Sequence, residues 1–231
     1  MKRLLVNGCS YAHSWGDYAR LLGERLGFDE TVNLGRPGGS NERSFRTTQN
    51  YILENQVDFV ILMLTFWDRT ESPWFKSIPI EGPWGSYSSI FNPAYHLRGR
   101  TLKFGDAELY KKYILDRVKY DLTEDRCDKL YTELIFFTGW LKSRNIPYCI
   151  FGACDMDYHP EHVPEFKVNA VKNDPCIIDI LNWSSNKFLF ENGATCLPAD
   201  EKIDPVYKHF MPDSHGPLND FLYNFITKNC Q

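Results

Sequence analysis

The sequence predicts an α/β protein in which helices cover both faces of a parallel sheet. Short apolar segments alternate with segments whose apolar residues recur at helical spacing, and this alternation is typical of strand–helix–strand units. The clearest strand is 59–64, which is apolar at every position, as expected at the centre of a sheet buried on both faces. A length of 231 residues suits one large domain of this class, so we predict a single domain over 1–231.

The predicted elements follow one another as strand, loop and helix, with one long interruption. The interruption is 72–106, where Pro, Gly, Ser and aromatic residues dominate, and we interpret it as an aromatic-rich insertion that serves as a lid or a partner surface. In parallel sheets, ligands bind outside the carboxyl ends of the strands, so the site is expected there. The predicted strands are 4–6, 31–33, 59–64 and 146–151, and the predicted helices are 17–26, 41–52, 107–122, 126–143, a weaker 177–183, and 218–227.

Charge and cysteine usage exclude several classes of protein. A net charge of −4 and a pI near 5.9 argue against a nucleic-acid partner. The seven cysteines are odd in number and form no C-x-x-C pair, which favours reduced thiols over a disulfide framework or a zinc ribbon. The first apolar stretch ends at Asn7 and is too short for a signal peptide or a membrane span. We therefore expect cytoplasmic synthesis without a signal peptide, and no membrane partner.

Candidate catalytic residues lie near the two ends of the chain. Ser10 follows the first predicted strand, where its hydroxyl would reach the carboxyl edge of the sheet and its N–H would lie at a helix start that favours a developing oxyanion. A serine in such a turn also serves commonly as a helix cap. Asp213 and His215 precede the last predicted helix, and a histidine oriented by a carboxylate can accept a serine proton near neutral pH.

A glycine-rich block follows the second predicted strand and reads N-L-G-R-P-G-G-S-N over 33–41. Consecutive glycines let backbone N–H groups approach a ligand, as an oxyanion hole requires, and they equally suit a tight strand-to-helix turn. The spacings G-x-G-x-x-G, G-x-x-x-x-G-K-[ST] and G-x-S-x-G are absent, so neither a nucleotide cofactor nor an α/β-hydrolase elbow is predicted. The His-Pro-Glu-His run at 159–162 lacks the spacing of a zinc protease, and no metal is predicted.

These three blocks together resemble blocks I, II and V of the SGNH (GDSL-like) hydrolases, in the order of that family. The resemblance implies a three-layer α/β/α sandwich with a flavodoxin-like parallel sheet of about five strands. It also implies hydrolysis of acyl esters, often acetyl groups on carbohydrates, without a cofactor. By the same resemblance, Ser10 is the nucleophile, Asp213 orients the general base His215, and the oxyanion receives the N–H groups of Ser10 and Gly38.

The third block departs from the family pattern. Where the family has Gly-x-Asn-Asp, this chain reads Thr-Phe-Trp-Asp over 65–68. The family's Asn completes the oxyanion hole, and one such donor can contribute about 3 kcal/mol. We therefore predict that the Asn41 side chain replaces it. The residues predicted to contact substrate are Trp67, Arg69, Glu71 and Trp74, although Arg69 and Glu71 are as well explained by a salt bridge with each other.

Two functions follow from these observations. The first is a serine esterase that acts through an acyl-enzyme on O-acetyl or other small acyl esters of a carbohydrate. The second is an SGNH-like module with weakened catalysis that serves as a binding or structural protein, such as a phage virion or assembly component. The second interpretation rests on the altered third block and on the aromatic-rich insertion, which would suit a partner surface. The chain also resembles divergent members, many of them phage-encoded or uncharacterised, and this interpretation predicts a virion or homo-oligomer partner.

Overall fold

A parallel sheet forms the centre of the molecule. The computed structural model describes residues 1–66, 70–72, 88–90, 123–154, 160–197 and 209–230. Within these ranges, the strands of the central sheet are β1 (Arg3–Asn7), β2 (Glu30–Asn33), β3 (Phe59–Leu64) and β6 (Tyr148–Gly152), and a separate antiparallel pair consists of β4 (Thr70–Ser72) and β5 (Ser88–Ile90). The strand order of the central sheet is β2-β1-β3-β6, and all three pairings are parallel.

Helices cover the central sheet on both faces, since every residue of β3 and β6 is buried. Helix α1 packs with α6, and α2 packs with α3. The predicted α/β class with a parallel sheet is therefore confirmed. The helices are α1 (Ser10–Arg25), α2 (Asn41–Glu54), α3 (Thr123–Ser143), α4 (Glu165–Lys172), α5 (Ser185–Glu191) and α6 (Gly216–Asn229), with short 3₁₀ turns at Pro160–His162 and Pro212–Ser214.

Two predicted helices differ from the structure. Helix α1 begins at Ser10 rather than at residue 17, because the helix continues through a local break at Gly16, whose φ is 47°. The predicted helix 177–183 is wrong: Ile178 donates its N–H to Ile150 of β6 (2.8 Å), and Ile150 pairs with Ile177 in a parallel bridge. Within the described residues the central sheet therefore has four strands, where about five were expected, and Ile177 adds an isolated bridge beside β6. The predicted helix 107–122 lies outside the described residues.

The core follows from the burial of the strands and the inner helix faces. Trp15 of α1 and Phe137 of α3 are among the largest fully buried side chains, together with Phe151 of β6 and Phe210 near the C-terminus. All seven cysteines are free thiols. In the part of the chain that the structure describes, no helix combines the length and the apolar character needed to cross a membrane.

Candidate active site

The turn between β1 and α1 places Ser10 at the carboxyl edge of the sheet. Asn7 ends β1 with a fully buried carboxamide, whose Nδ2 lies within hydrogen-bond distance of Ser44 O (3.0 Å) and Thr47 Oγ1 (2.8 Å) of α2. Its Oδ1 accepts the Gly8 N–H at 2.8 Å. A Cβ on Gly8 would lie 2.7 Å from the carbonyl oxygen of Met63, so only glycine fits this turn. The chain therefore enters α1 along one constrained path, and Ser10 is its first helical residue.

Ser10 forms a hydrogen bond with a histidine. The Ser10 Oγ lies 2.8 Å from Nε2 of His209, the distance expected for a nucleophile and its base. His209 is half-buried, and its ring stacks on Tyr11, with ring centroids 4.7 Å apart and an interplanar angle of 17°. The structure thus places a Ser–His pair at the carboxyl end of β1, close to the position where the sequence analysis expected chemistry.

The backbone of His209 belongs to a short antiparallel pairing. Leu197 donates its N–H to His209 O, and Met211 donates to Thr195 O, both at 2.8 Å. Between them, Phe210 pairs with Cys196 and buries its ring to 2% exposure. The apolar anchor and the two hydrogen bonds hold the segment, so the His209 ring approaches α1 from a fixed backbone.

The structure corrects the predicted pairing of Ser10 with His215. His215 is buried at the start of α6, and its ring lies 6.0 Å from that of Tyr18. Tyr18 follows Ser10 on α1 beyond the break at Gly16. The side chain of Asp213 is exposed, and its backbone carbonyl accepts the Tyr18 hydroxyl at 3.2 Å. The Asp213-x-His215 motif therefore packs at Tyr18, and His209 occupies the predicted place of the base.

His209 was missed because its sequence context carries no catalytic signal. It precedes Phe210 and Met211 in an apolar run, whereas His215 belongs to an Asp-x-His motif that matches the family block. The signal that could have indicated it is its place in the terminal region, which follows the last predicted strand and which also holds His215. No local rule would have ranked it above His215.

The glycine-rich turn at 36–39 packs against the residues that precede Ser10. Arg36 donates its N–H to Gly8 O at 3.2 Å, and a Cβ on Gly39 would lie 3.1 Å from the same oxygen. Gly38 adopts φ +75°, a left-handed conformation that favours glycine. Gly39 thus serves the close backbone approach that the sequence indicated, and Gly38 serves the turn. The donation of the Gly38 N–H to an oxyanion stays a prediction.

Asn41 has a structural role in addition to the predicted one. Its buried carboxamide accepts the N–H of Thr65 at 2.7 Å and donates to Thr65 O at 2.9 Å. These two bonds clamp the N-terminus of α2 to the residue that follows β3. They use Oδ1 and one of the two Nδ2 hydrogens, and donation of the other hydrogen to an oxyanion stays a prediction.

The predicted substrate-contacting residues fall largely beyond the structure's described part. Trp67, Arg69 and Trp74 lie outside the described residues. The backbone of Glu71 belongs to β4 and pairs with Ser89. Among the described residues, no group of three or more His, Cys, Asp or Glu side chains could hold a metal ion.

The fold and the site together define a class: an α/β protein with a Ser–His pair at the carboxyl edge of a parallel sheet. The chain belongs to DUF6071, a family of unknown function, whose profile matches residues 6–197. The matched span includes Ser10 and Gly38 and ends before His209. No curated protein matches the sequence.

Solved structures with a similar chain path include three ester-cleaving enzymes. The psychrotrophic esterase EstA from Pseudoalteromonas sp. is 10% identical, with 99% of this chain and 98% of that chain covered and a TM-score of 0.49. A lipase/acylhydrolase from Enterococcus faecalis is 13% identical, with coverage of 100% and 98% and a TM-score of 0.47. A catalytic mutant of an acetylxylan esterase from Geobacillus stearothermophilus is 13% identical, with coverage of 97% and 94% and a TM-score of 0.46. At these values, the likeness does not extend to function or to individual residues.

Proposed function

We propose that this protein is a serine ester hydrolase with Ser10 as nucleophile and His209 as general base. The observation that carries the proposal is the 2.8 Å separation between Ser10 Oγ and His209 Nε2. A serine hydroxyl is a weak nucleophile on its own and becomes effective when an adjacent base removes its proton. The position of the pair at the carboxyl end of β1 adds support, since parallel sheets bind ligands at this edge.

The proposed reaction has two halves. In the first, Ser10 Oγ attacks the ester carbonyl carbon while its proton passes to His209 Nε2, and the alcohol departs with that proton as the acyl-enzyme forms. In the second, His209 takes a proton from water as the water oxygen attacks the acyl carbon. Collapse of the second tetrahedral intermediate releases the acid and returns the proton to Ser10.

The start of α1 is the proposed source of oxyanion stabilisation. The first N–H groups of a helix have no acceptor within the helix, and the side chain of Cys9, at the N-cap, makes no capping hydrogen bond. The N–H of Ser10, aided by the helix dipole, would face the developing negative charge. The Gly38 N–H is the proposed second donor, because its turn packs against Gly8 immediately before the nucleophile.

We propose a small acyl ester as substrate, with O-acetylated carbohydrate as the first class to test. The support is the aromatic content of 72–106 in the sequence, since aromatic side chains suit a sugar-binding wall. Association with a virion or with a second copy of the chain is a further proposal, supported by the altered third block and by the aromatic-rich sequence of 72–106.

The proposal predicts opposite outcomes for two histidine variants. Hydrolysis of p-nitrophenyl acetate should fall at least about 100-fold in Ser10→Ala and in His209→Asn, since a positioned base contributes roughly 10²–10⁴ in rate. His215→Asn is the matched control and should keep wild-type turnover. Circular dichroism checks that each variant is folded.

A fluorophosphonate probe provides an independent test. Mass spectrometry should find one adduct on Ser10 in the wild type and none in Ser10→Ala. Loss of activity in His215→Asn together with normal activity in His209→Asn would reverse the assignment of the base. A wild-type protein with neither turnover nor adduct would refute the hydrolase and favour a binding module.

A further inference from the structure

Tyr11 follows the proposed nucleophile directly and contacts the proposed base. Its ring stacks on that of His209 with centroids 4.7 Å apart and an interplanar angle of 17°. We infer that Tyr11 is a positioning residue that holds the His209 ring in the plane required for proton transfer, an inference that rests on the proposed function. Tyr11 is only 6% exposed, so its effect acts through His209 rather than through contact with substrate.

The stack constrains a different feature of His209 from the hydrogen bond to Ser10 and the backbone pairing. The bond between Ser10 Oγ and Nε2 fixes where one edge of the imidazole points, and by itself it does not set the plane of the ring. The backbone pairing of His209 with Leu197 holds the Cα, and by itself it sets neither side-chain torsion. A nearly parallel aromatic face fixes the ring plane itself. Such aromatic pairs stabilise the protein beyond the burial of their surface, which favours the rotamer that stacks.

The hydrogen bond and the ring stack both reach the imidazole from the first turn of α1. Consecutive helical residues project about 100° apart, so Ser10 and Tyr11 can meet the edge and the face of one ring. Their relative geometry is set by helix α1 rather than by a loop. Tyr11 itself is packed in the core cluster with Ala12 and Trp15, which limits its own movement.

The proposed reaction needs the His209 ring in one orientation for two proton transfers. The ring must accept a proton from Ser10 and then donate it to the leaving alcohol while the plane of the ring stays the same. While the ring carries the extra proton, the face of Tyr11 also attracts it by a cation–π interaction. Removal of the aromatic face should therefore reduce the rate of the chemical step and leave substrate binding unchanged.

The kinetic test compares two tyrosines on the same helix. Tyr11→Leu and Tyr11→Met remove the aromatic face and should lower kcat about 10–100-fold, with KM within about threefold of wild type. Tyr11→Phe keeps the ring and should restore kcat to within about threefold. The control is Tyr18→Leu, which removes the tyrosine beside His215 and should leave kcat unchanged.

A spectroscopic measurement tests the stack without activity. The carbon-bound ring protons of His209, assigned by comparison with His209→Asn, should show an upfield ring-current shift in the wild type and in Tyr11→Phe. The shift should disappear in Tyr11→Leu and Tyr11→Met. Two substitutions of different shape are used because a folding defect in one then leaves the other as the test.

The possible failures are distinguishable. A wild type without turnover or Ser10 adduct refutes the proposed function and, with it, the catalytic role of Tyr11. An active wild type whose Tyr11→Leu and Tyr11→Met variants keep kcat overturns the inference about Tyr11 and leaves the hydrolase standing. Absence of the ring-current shift in the wild type overturns it as well.

Discussion

At the scale of single residues, asparagines secure the backbone around Ser10. A carboxamide both donates and accepts, so one buried side chain can join two backbone segments. Asn7 links the end of β1 to α2. Asn33, at the end of β2, donates to Ala12 O and accepts from Gly35 N, both at 2.8 Å. Asn41 joins α2 to Thr65 after β3. The first turn of α1 and the glycine-rich turn are thereby attached to three neighbouring strands.

The Asn41 clamp leads to a stability prediction. Asn41→Ala would leave the N–H and the carbonyl of the fully buried Thr65 without these partners. Each buried unsatisfied group costs about 1–3 kcal/mol, so we expect the free energy of unfolding to fall by roughly 2–4 kcal/mol. Urea denaturation measures this loss.

The matched control for that measurement is Asn224→Ala, at an exposed position of α6. It should change the free energy of unfolding by no more than about 0.5 kcal/mol. Equal stability of the Asn41→Ala variant and the wild type would contradict the structural role of this side chain.

At the scale of elements, α6 and α1 are joined by a buried side chain. Asn219 accepts the indole N–H of Trp15 at 2.9 Å and donates to Tyr18 O at 2.7 Å. At the surface, Arg25 and Asp220 add an ion pair at 2.5 Å. Because α6 directly follows the segment that carries His209, its attachment to α1 helps to bring that segment to Ser10. The meeting of the proposed nucleophile and base thus depends on helix packing.

A double-mutant cycle tests the link between the two helices. Asn219→Leu leaves the buried Trp15 N–H without its acceptor and should destabilise the protein by about 1–3 kcal/mol. Trp15→Phe removes the donor and has its own packing cost. The free energy of unfolding should fall less in the double variant than the sum of the two single decreases. Urea denaturation should give a coupling free energy of about 0.5–3 kcal/mol between the two side chains. Simple additivity would show that this hydrogen bond does not stabilise the pair of helices.

Two elements show where a local sequence pattern is enough to predict secondary structure and where it is not. The sequence predicts a helix capped by Ser40 or Asn41, and the structure shows Ser40 as the cap of α2. Ser40 accepts the N–H of Arg43 at 3.2 Å, which is a local interaction. The prediction of a helix at 177–183 is wrong because the apolar spacing fits a helix, whereas in the structure Ile177 and Ile178 pair with β6. Pairing with a distant strand outweighed a weak local preference.

At the scale of the whole molecule, the pH dependence of stability should show the burial of two ionisable groups in α3. Burial raises the pKa of the Cys127 thiol from 9.0 to about 11, and it raises the pKa of the Tyr131 phenol from 10.0 to about 12. Both side chains are almost wholly inaccessible to solvent. The folded state therefore keeps these two protons to higher pH than the unfolded chain does.

The expected result is a loss of stability at alkaline pH. As pH rises past 9.0, the thiol of the unfolded chain ionises first, so the stability present below that pH is lost progressively up to about 11 for Cys127. For Tyr131, the corresponding window runs from 10.0 to about 12. For each group, the difference between the pKa in the folded and the unfolded chain corresponds to roughly 2–3 kcal/mol of the free energy of unfolding.

Urea denaturation at several pH values across this alkaline range measures how steeply the free energy of unfolding falls with pH. Cys127→Ala should flatten the lower part of the decline and Tyr131→Phe the upper part, whatever their effect on stability at neutral pH. An unchanged slope in both variants would rule out these groups as its cause.

The sequence by itself determined the parallel α/β architecture, the position of Ser10 after β1 and the close glycine turn beside it. These features depend on periodicity and on short connections, which neighbouring residues encode. Only the tertiary structure decided that His209, rather than His215, meets Ser10. The two histidines are close in sequence, and the choice between them depends on the pairing of 209–211 with 195–197 and on the docking of α6 against α1. Contacts between separate segments of the chain leave no local pattern in the sequence at either histidine.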